Sequence, residues 1–228
     1  GKIINRKYYY VDKTLFIREL LDMKGEVNLF TRPRRFGKTL NMSMLRYFFE
    51  QSPAGNQEFF KNLKIMDTGE EYLRHMGQYP VISLSLKSMK QYSYELAFEM
   101  LKKAVEGEFT RHWDEIEKSG KLSEAKLERY IRIRDLKGME ADYADSLKFL
   151  SECLYICTGK RSVILIDEYD VPLENAYFSG FYDRMVSLIR SLFESALKTN
   201  DSLEFAVVTG CLRISKESIF TGLNNLNV

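Results

Sequence analysis

A chain of 228 residues with 45% hydrophobic and 29% charged residues can bury one sizeable core, and 34 basic against 32 acidic residues give no global attraction for a polyanion. Its apolar runs, such as Ser162 to Ile166, are strand-sized and far below the about 20 residues that cross a bilayer, so no membrane partner is expected. Charged residues interrupt the first 20 positions, which excludes a visible secretory signal, and three cysteines make no disulfide framework, so a reducing cytoplasm is the expected location.

Tyr8 to Val11 is aromatic and β-prone, and Asp12-Lys13-Thr14 forms a helix start before Leu15, Phe16, Leu20 and Leu21 at helical spacing. Gly25 is the predicted end of that helix. Val27 to Phe30 reads as a buried strand, the following Arg/Pro segment as a loop, and Thr39 onward as a helix with Leu40, Met44, Leu45 and Phe48 on one face. A second strand is predicted over Pro80 to Leu86 and a helix over Tyr92 to Phe109. From Trp113 to Leu150 the chain is charged and helical, with breaks at Gly120 and Gly138. We read this as a helical insertion of roughly residues 110–150, either over a ligand or, the favoured reading, as a solvated outer face. Cys153 and Cys157, four apart on a helix, read as buried residues rather than metal ligands.

Ser162 to Ile166 is an apolar run that ends abruptly in Asp167-Glu168, the pattern of a central parallel strand. Tyr182 to Leu197 is an amphipathic helix, and Leu203 to Val208 a fourth strand ending at Thr209-Gly210. Strands alternating with helices predict a parallel α/β sheet whose ligand sits outside the carboxyl ends of the strands.

The chemistry concentrates at those ends. Gly37-Lys38-Thr39 between strand and helix supplies a close backbone approach, a cation for β and γ phosphates, and a hydroxyl for magnesium, at a helix N-terminus. The full pattern G-x-x-x-x-G-K-[ST] wants glycine at position 32, where this chain has arginine, and Pro33 removes a backbone donor. The loop is therefore expected to bend differently, with Arg34 and Arg35 adding charge. Four apolar residues before Asp167-Glu168 form a Walker B pattern, in which Asp167 helps hold Mg²⁺ and Glu168 activates water. Thr209 is a candidate to sense the γ phosphate. Arg213 either reaches the phosphates or a neighbouring subunit, or is an exposed helix-start arginine.

Four segments together, Tyr9 to Thr14, Thr31 to Thr39, Ile166 to Asp170 and Thr209 to Ser218, resemble the bacterial AAA-ATPase-like family, whose members often carry a PD-(D/E)XK nuclease-like domain after the ATPase part. In that family Arg-Pro-Arg-Arg-Phe-Gly-Lys-Thr is the usual loop, so Arg32 reads as a family variant. The resemblance implies an α/β, P-loop NTPase three-layer fold of the additional-strand, AAA-like type, with a mainly parallel sheet and another strand between the Walker A and Walker B strands. It places Tyr10, Asp12 and Lys13 against the adenine, and Arg32, Arg34, Arg35, Phe36, Gly37, Lys38, Thr39 and Leu40 around the nucleotide. Lys38, Glu168, Thr209 and Arg213 become the catalytic candidates, and Thr39 and Asp167 the Mg²⁺ ligands. Residues 1–228 read as one ATPase-like domain that stops about where a fifth core strand and a lid would follow, without the nuclease-like domain.

The function expected is an ATP-binding, Mg²⁺-dependent ATPase module coupled to an attached or partner domain. Alternatives are a nucleotide switch with little turnover, or a nucleic-acid-binding regulatory part of a nuclease-like protein, motivated by Arg32, Arg34, Arg35 and Arg46. A homo-oligomer that supplies an arginine in trans is a further candidate assembly.

Overall fold

The computed structural model describes residues 11–52, 55–211, 219–220 and 226–227. Tyr10 and Arg213 lie outside the described residues, as does most of the segment after Cys211.

Among these residues the sheet has five parallel strands: β1 (Val27–Thr31), β2 (Val81–Ser85), β3 (Ser162–Asp167), β4 (Leu203–Gly210) and β5 (Leu226–Asn227). Their order is β2-β3-β4-β1-β5. The strand that leads into the Gly-Lys-Thr loop and the strand that ends in Asp167-Glu168 are thus separated by β4, the additional-strand arrangement. The fifth strand, expected to follow the chain, instead begins within it: Leu226 and Asn227 pair with Val27 and Asn28.

Period-two alternation divides each central strand between two helical layers. One face of the sheet turns Val81, Val163, Leu165 and Val207 towards α1 (Leu15–Met23) and α2 (Lys38–Phe49). Helix α2 buries Met42, Met44, Leu45, Phe48 and Phe49 there, each side chain contributing about 1.5–3 kcal/mol relative to exposure. The other face presents Ile82, Leu84, Ile164, Ile166, Ala206 and Val208. It is covered by helices that follow β2, namely α4 (Tyr94–Arg111), α5 (Trp113–Ser119), α6 (Glu124–Arg134), α7 (Glu140–Ala144) and α8 (Ser146–Thr158), together with α9 (Val171–Ser179) and α10 (Tyr182–Leu197). A short helix α3 (Glu70–Leu73) lies before β2.

Three local expectations are corrected. The 110–150 stretch is not a solvated face: Ile116, Tyr130, Ile133, Tyr143, Leu147 and Leu150 are buried in the same apolar cluster as the sheet, because their spacing threads an apolar stripe through a charged sequence. No residue of that stretch lines the cleft at the strand ends. Helix α1 is closed by Lys24, which takes the left-handed conformation (φ 48°), rather than by Gly25. Gly25 is needed for space instead, since a Cβ there would sit 2.1 Å from Asn227 Nδ2 and 2.4 Å from Asn28 Oδ1. Leu40, assigned to the buried face of α2, is 38% exposed at its first turn. The burial expected of Cys153 and Cys157 is observed.

Register aligns the carboxyl ends of the strands. Ser85 pairs with Asp167, Asp167 with Thr209, and Phe30 with Thr209, so all four ends reach one edge. Backbone bonds continue this alignment into the loops: Leu86 N–H donates to the Asp167 carbonyl (3.0 Å), Tyr169 N–H to the Thr209 carbonyl (3.2 Å) and Arg32 N–H to the Gly210 carbonyl (3.2 Å). Gly210 is the tight point, where a Cβ would meet Asp170 Oδ1 at 2.6 Å and the Tyr169 ring at 2.7 Å. We expect Gly210→Ala to lower unfolding stability by about 1–3 kcal/mol through overpacking, measured by denaturant melts. An unchanged midpoint would show that the Tyr169 ring and Asp170 yield freely.

Candidate nucleotide site

The loop between β1 and α2 bends at Arg35 (φ 69°) and Gly37 (φ 80°), the latter being the residue that caps the helix. Arg32, the position of the missing glycine, is not among the residues with positive φ. The loop takes its left-handed step at Arg35 instead, a side chain held in a conformation costing about 1 kcal/mol or more, so it turns without requiring glycine at 32. Helix α2 carries no acidic residue of its own in its first turn, and the carboxylate nearest the positive end of its dipole is that of Asp167, on the neighbouring layer.

Lys38 folds back over this loop. Its ammonium donates to the carbonyls of Arg32 (2.7 Å) and Pro33 (2.9 Å) and to Cys211 Sγ (3.2 Å). Thr39 points the other way: its hydroxyl donates to Asp167 Oδ2 at 2.7 Å, joining residues 128 positions apart. Asp167 is 5% exposed, and its second oxygen, Oδ1, is buried without a hydrogen-bond partner among the described residues. Burial raises the Asp167 carboxyl above its usual range, against the opposing pull of the Thr39 hydroxyl, the Glu168 backbone N–H and the Lys38 charge. Beside it, the Thr209 hydroxyl is also buried and without a partner. Glu168 follows in a left-handed conformation (φ 56°), half-buried at the cleft wall. The sheet turns out of β3 there, with Val171 N–H donating to the Glu168 carbonyl (3.2 Å).

Lys38, Thr39 and Glu168 open into a cleft of about 810 Å³, while Asp167 and Thr209 are buried behind its wall and do not line it. Of the nucleotide-site residues expected from sequence, Arg34, Arg35, Gly37, Lys38, Thr39, Leu40 and Glu168 line it. Lys13 is close by, since a Cβ on Gly37 would lie 3.8 Å from its ammonium. Others are elsewhere. Asp12 Oδ1 accepts from the Thr14 N–H (2.9 Å) and hydroxyl (2.6 Å), and Oδ2 from Lys64 N–H (2.8 Å), so this carboxylate ties the start of α1 to the following layer. Burial opposes its ionisation, but those bonds hold it below the usual carboxylate range. Arg32 turns its guanidinium onto the Thr31 carbonyl (2.9 Å) and lines a separate 290 Å³ cavity beside β1. Phe36 is 58% exposed and does not line the cleft. Arg34 faces Glu174 at 3.7 Å and Arg46 pairs with Glu50 at 3.2 Å, which divides the arginines considered for nucleic acid between two places.

Sequence reasoning missed Lys87, Lys90, Asn175, Phe178 and Cys211 in the cleft wall. Lys87 and Cys211 could have been found, because Cys211 directly follows β4, Lys87 stands two residues after β2, and the ligand of a parallel sheet gathers at strand ends. Asn175 and Phe178 sit on α9 and gave no signal beyond helical spacing.

The family described as Predicted AAA-ATPase matches residues 1–220. An uncharacterised protein in the vnfD 5′ region of Azotobacter chroococcum mcd 1 is 30% identical over 226 residues, covering 96% of this chain and 37% of that protein. The chain therefore spans a little over a third of that relative's length. No solved structure matches. Among the described residues no helix is long and apolar enough to cross a membrane. A match over nearly the whole chain, on a sheet of the order and loop geometry described above, makes this chain a member of the Predicted AAA-ATPase family, which is of nucleotide-binding, ATPase type.

Proposed function

We propose that the chain is an ATP-binding, Mg²⁺-dependent ATPase module whose nucleotide state is communicated to an attached or partner domain. The observation that carries this reading is the Thr39 hydroxyl on Asp167, with the second carboxylate oxygen buried and without a hydrogen-bond partner among the described residues. A hydroxyl and a carboxylate side by side are the oxygen donors that a hard cation takes, and a buried carboxylate without a second partner is costly unless a cation approaches it. Bound there by Thr39 and Asp167, Mg²⁺ would neutralise charge on the β and γ phosphates.

The remaining roles belong to the chain. Lys38 leaves the Arg32 and Pro33 carbonyls and grips the β and γ phosphates, and the α2 N-terminus adds backbone donors. Glu168, at the mouth of the cleft, takes the proton of the attacking water. Thr209, one strand from Asp167, offers its unpaired hydroxyl to the γ phosphate or to that water. Lys13 adds a further ammonium near Gly37 of the loop. A relative nearly three times as long is consistent with a further domain for this module to act on. Transfer of Arg213 from a neighbouring copy would make turnover depend on protein concentration.

Two outcomes test the assignment. Lys38→Ala is expected to abolish ATP binding measured by calorimetry, whereas Glu168→Gln keeps binding and slows single-turnover hydrolysis by about 10²–10⁴-fold. If both variants bind and turn over as the parent does, the site is elsewhere. Asp167→Asn should lose the Mg²⁺ dependence of binding while melting higher without metal, by about 1 kcal/mol or about 2–4 °C at neutral pH. The sign follows from the raised carboxyl: the protonated form is the one the fold tolerates, so wild-type stability falls as pH rises above the ordinary aspartate value of 3.8. The advantage of Asp167→Asn should therefore shrink towards acid pH, and a variant that melts lower at neutral pH would contradict the account.

A further inference from the structure

The side of the cleft facing the Gly-Lys-Thr loop is made by the turn after β2, which the motifs do not touch. Lys87 and Lys90 both line the cleft from this turn, are exposed, and form no ion pair among the described residues. Their place is fixed by three contacts. Leu86 N–H donates to the Asp167 carbonyl at 3.0 Å, which holds the start of the turn one residue from Glu168. Met89, between the two lysines, is fully buried. Asn175 of α9 donates its side-chain N–H to the Gln91 carbonyl, clamping the end of the turn. Lysines that merely solvate a surface need no such anchoring.

The charge around the cleft points the same way. Arg34, Arg35, Lys38, Lys87 and Lys90 line it against Glu168, Asp170 and Glu174, an excess of two positive charges in a chain that is almost neutral overall. Arg34 already faces Glu174 and Lys38 is committed to loop carbonyls, which among the described residues leaves Arg35 on the loop and the two lysines of the turn after β2 as the uncommitted cations of the cleft. In the strand order β2-β3-β4-β1 the turn after β2 lies beyond Asp167 and Glu168 from the loop, so a triphosphate held by the loop and the α2 N-terminus with its terminal phosphate towards Glu168 would extend towards this turn.

We propose that Lys87 and Lys90 form a second cationic wall that binds the terminal phosphate and makes the site prefer nucleoside triphosphates over diphosphates. This rests on the nucleotide reading above and adds to it a specificity determinant supplied in cis. A diphosphate ends before the wall and makes none of these contacts. Each charge-assisted bond lost would weaken triphosphate binding by about 10- to 100-fold and leave diphosphate binding unchanged.

The test is equilibrium titration of the full chain with fluorescent ATP and ADP, with Mg²⁺ present, for the parent, Lys87→Ala/Lys90→Ala, Lys87→Arg/Lys90→Arg and the control Lys118→Ala. Lys118 is 79% exposed beside the opposite ends of the strands. The alanine pair is expected to lose at least about tenfold of the ATP-over-ADP preference with ADP affinity held within about twofold, and the arginine pair to restore it. Because both lysines are exposed, the melting temperature should stay constant. The proposal is overturned if the preference survives in the alanine pair, if ATP and ADP affinities fall together, or if the parent binds both nucleotides equally. It is equally overturned if the alanine pair keeps its preference and instead loses binding of a single-stranded oligonucleotide. A parent that binds neither nucleotide would overturn the nucleotide reading itself, an outcome distinct from all of these.

Discussion

The hydrogen bond from Thr39 to Asp167 is the point at which the two halves of the chain become one site. Everything that makes it possible is structural: β4 lies between β1 and β3, the register sets Asp167 beside Thr209, and the loop bonds from Arg32, Leu86 and Tyr169 hold the strand ends level. The two apolar clusters on opposite faces of the sheet fix that register, because a one-residue slip of β3 would send Val163 and Leu165 to the face that Ile164 and Ile166 occupy. Core packing therefore positions the chemistry, although none of the core residues takes part in it.

The polar groups at the strand ends are arranged at a cost. Among the described residues one buried oxygen of Asp167 and the buried Thr209 hydroxyl lack hydrogen-bond partners, and Arg35 and Glu168 both occupy left-handed backbone conformations. Several unfavourable features gathered on one edge of an otherwise regular sheet are what the proposed nucleotide site would require. Lys38 shows the complementary device: its charge is satisfied by two carbonyls and a sulfur of its own surroundings, partners that a phosphate can replace without leaving any group buried and alone.

Much of this was legible in the sequence because it is written in residue types with few alternatives. A run such as Val163 to Ile166 ending in two acids can only be a buried strand reaching a polar edge, and Gly37-Lys38-Thr39 after Val27 to Phe30 sets strand, loop and helix in order. What stayed hidden depends on contacts distant in sequence. The left-handed step at Arg35 replaces a glycine and has no signature of its own. The use of Asp12 to hold Lys64 N–H depends on a contact 52 residues away, and the burial of Tyr130 and Tyr143 depends on charged helices wrapping an apolar stripe onto the sheet. Lys87 lay in view, two residues after a strand, but carries no motif.

The most direct test of the central claim is a crystal structure of the chain with a non-hydrolysable ATP analogue and Mg²⁺. The account predicts the triphosphate along the Arg34 to Thr39 loop, the metal against Thr39 and Asp167, and the Lys38 ammonium moved from the Arg32 and Pro33 carbonyls onto the phosphates. A nucleotide bound elsewhere, or a Lys38 still bonded to those carbonyls with the triphosphate in place, would contradict it.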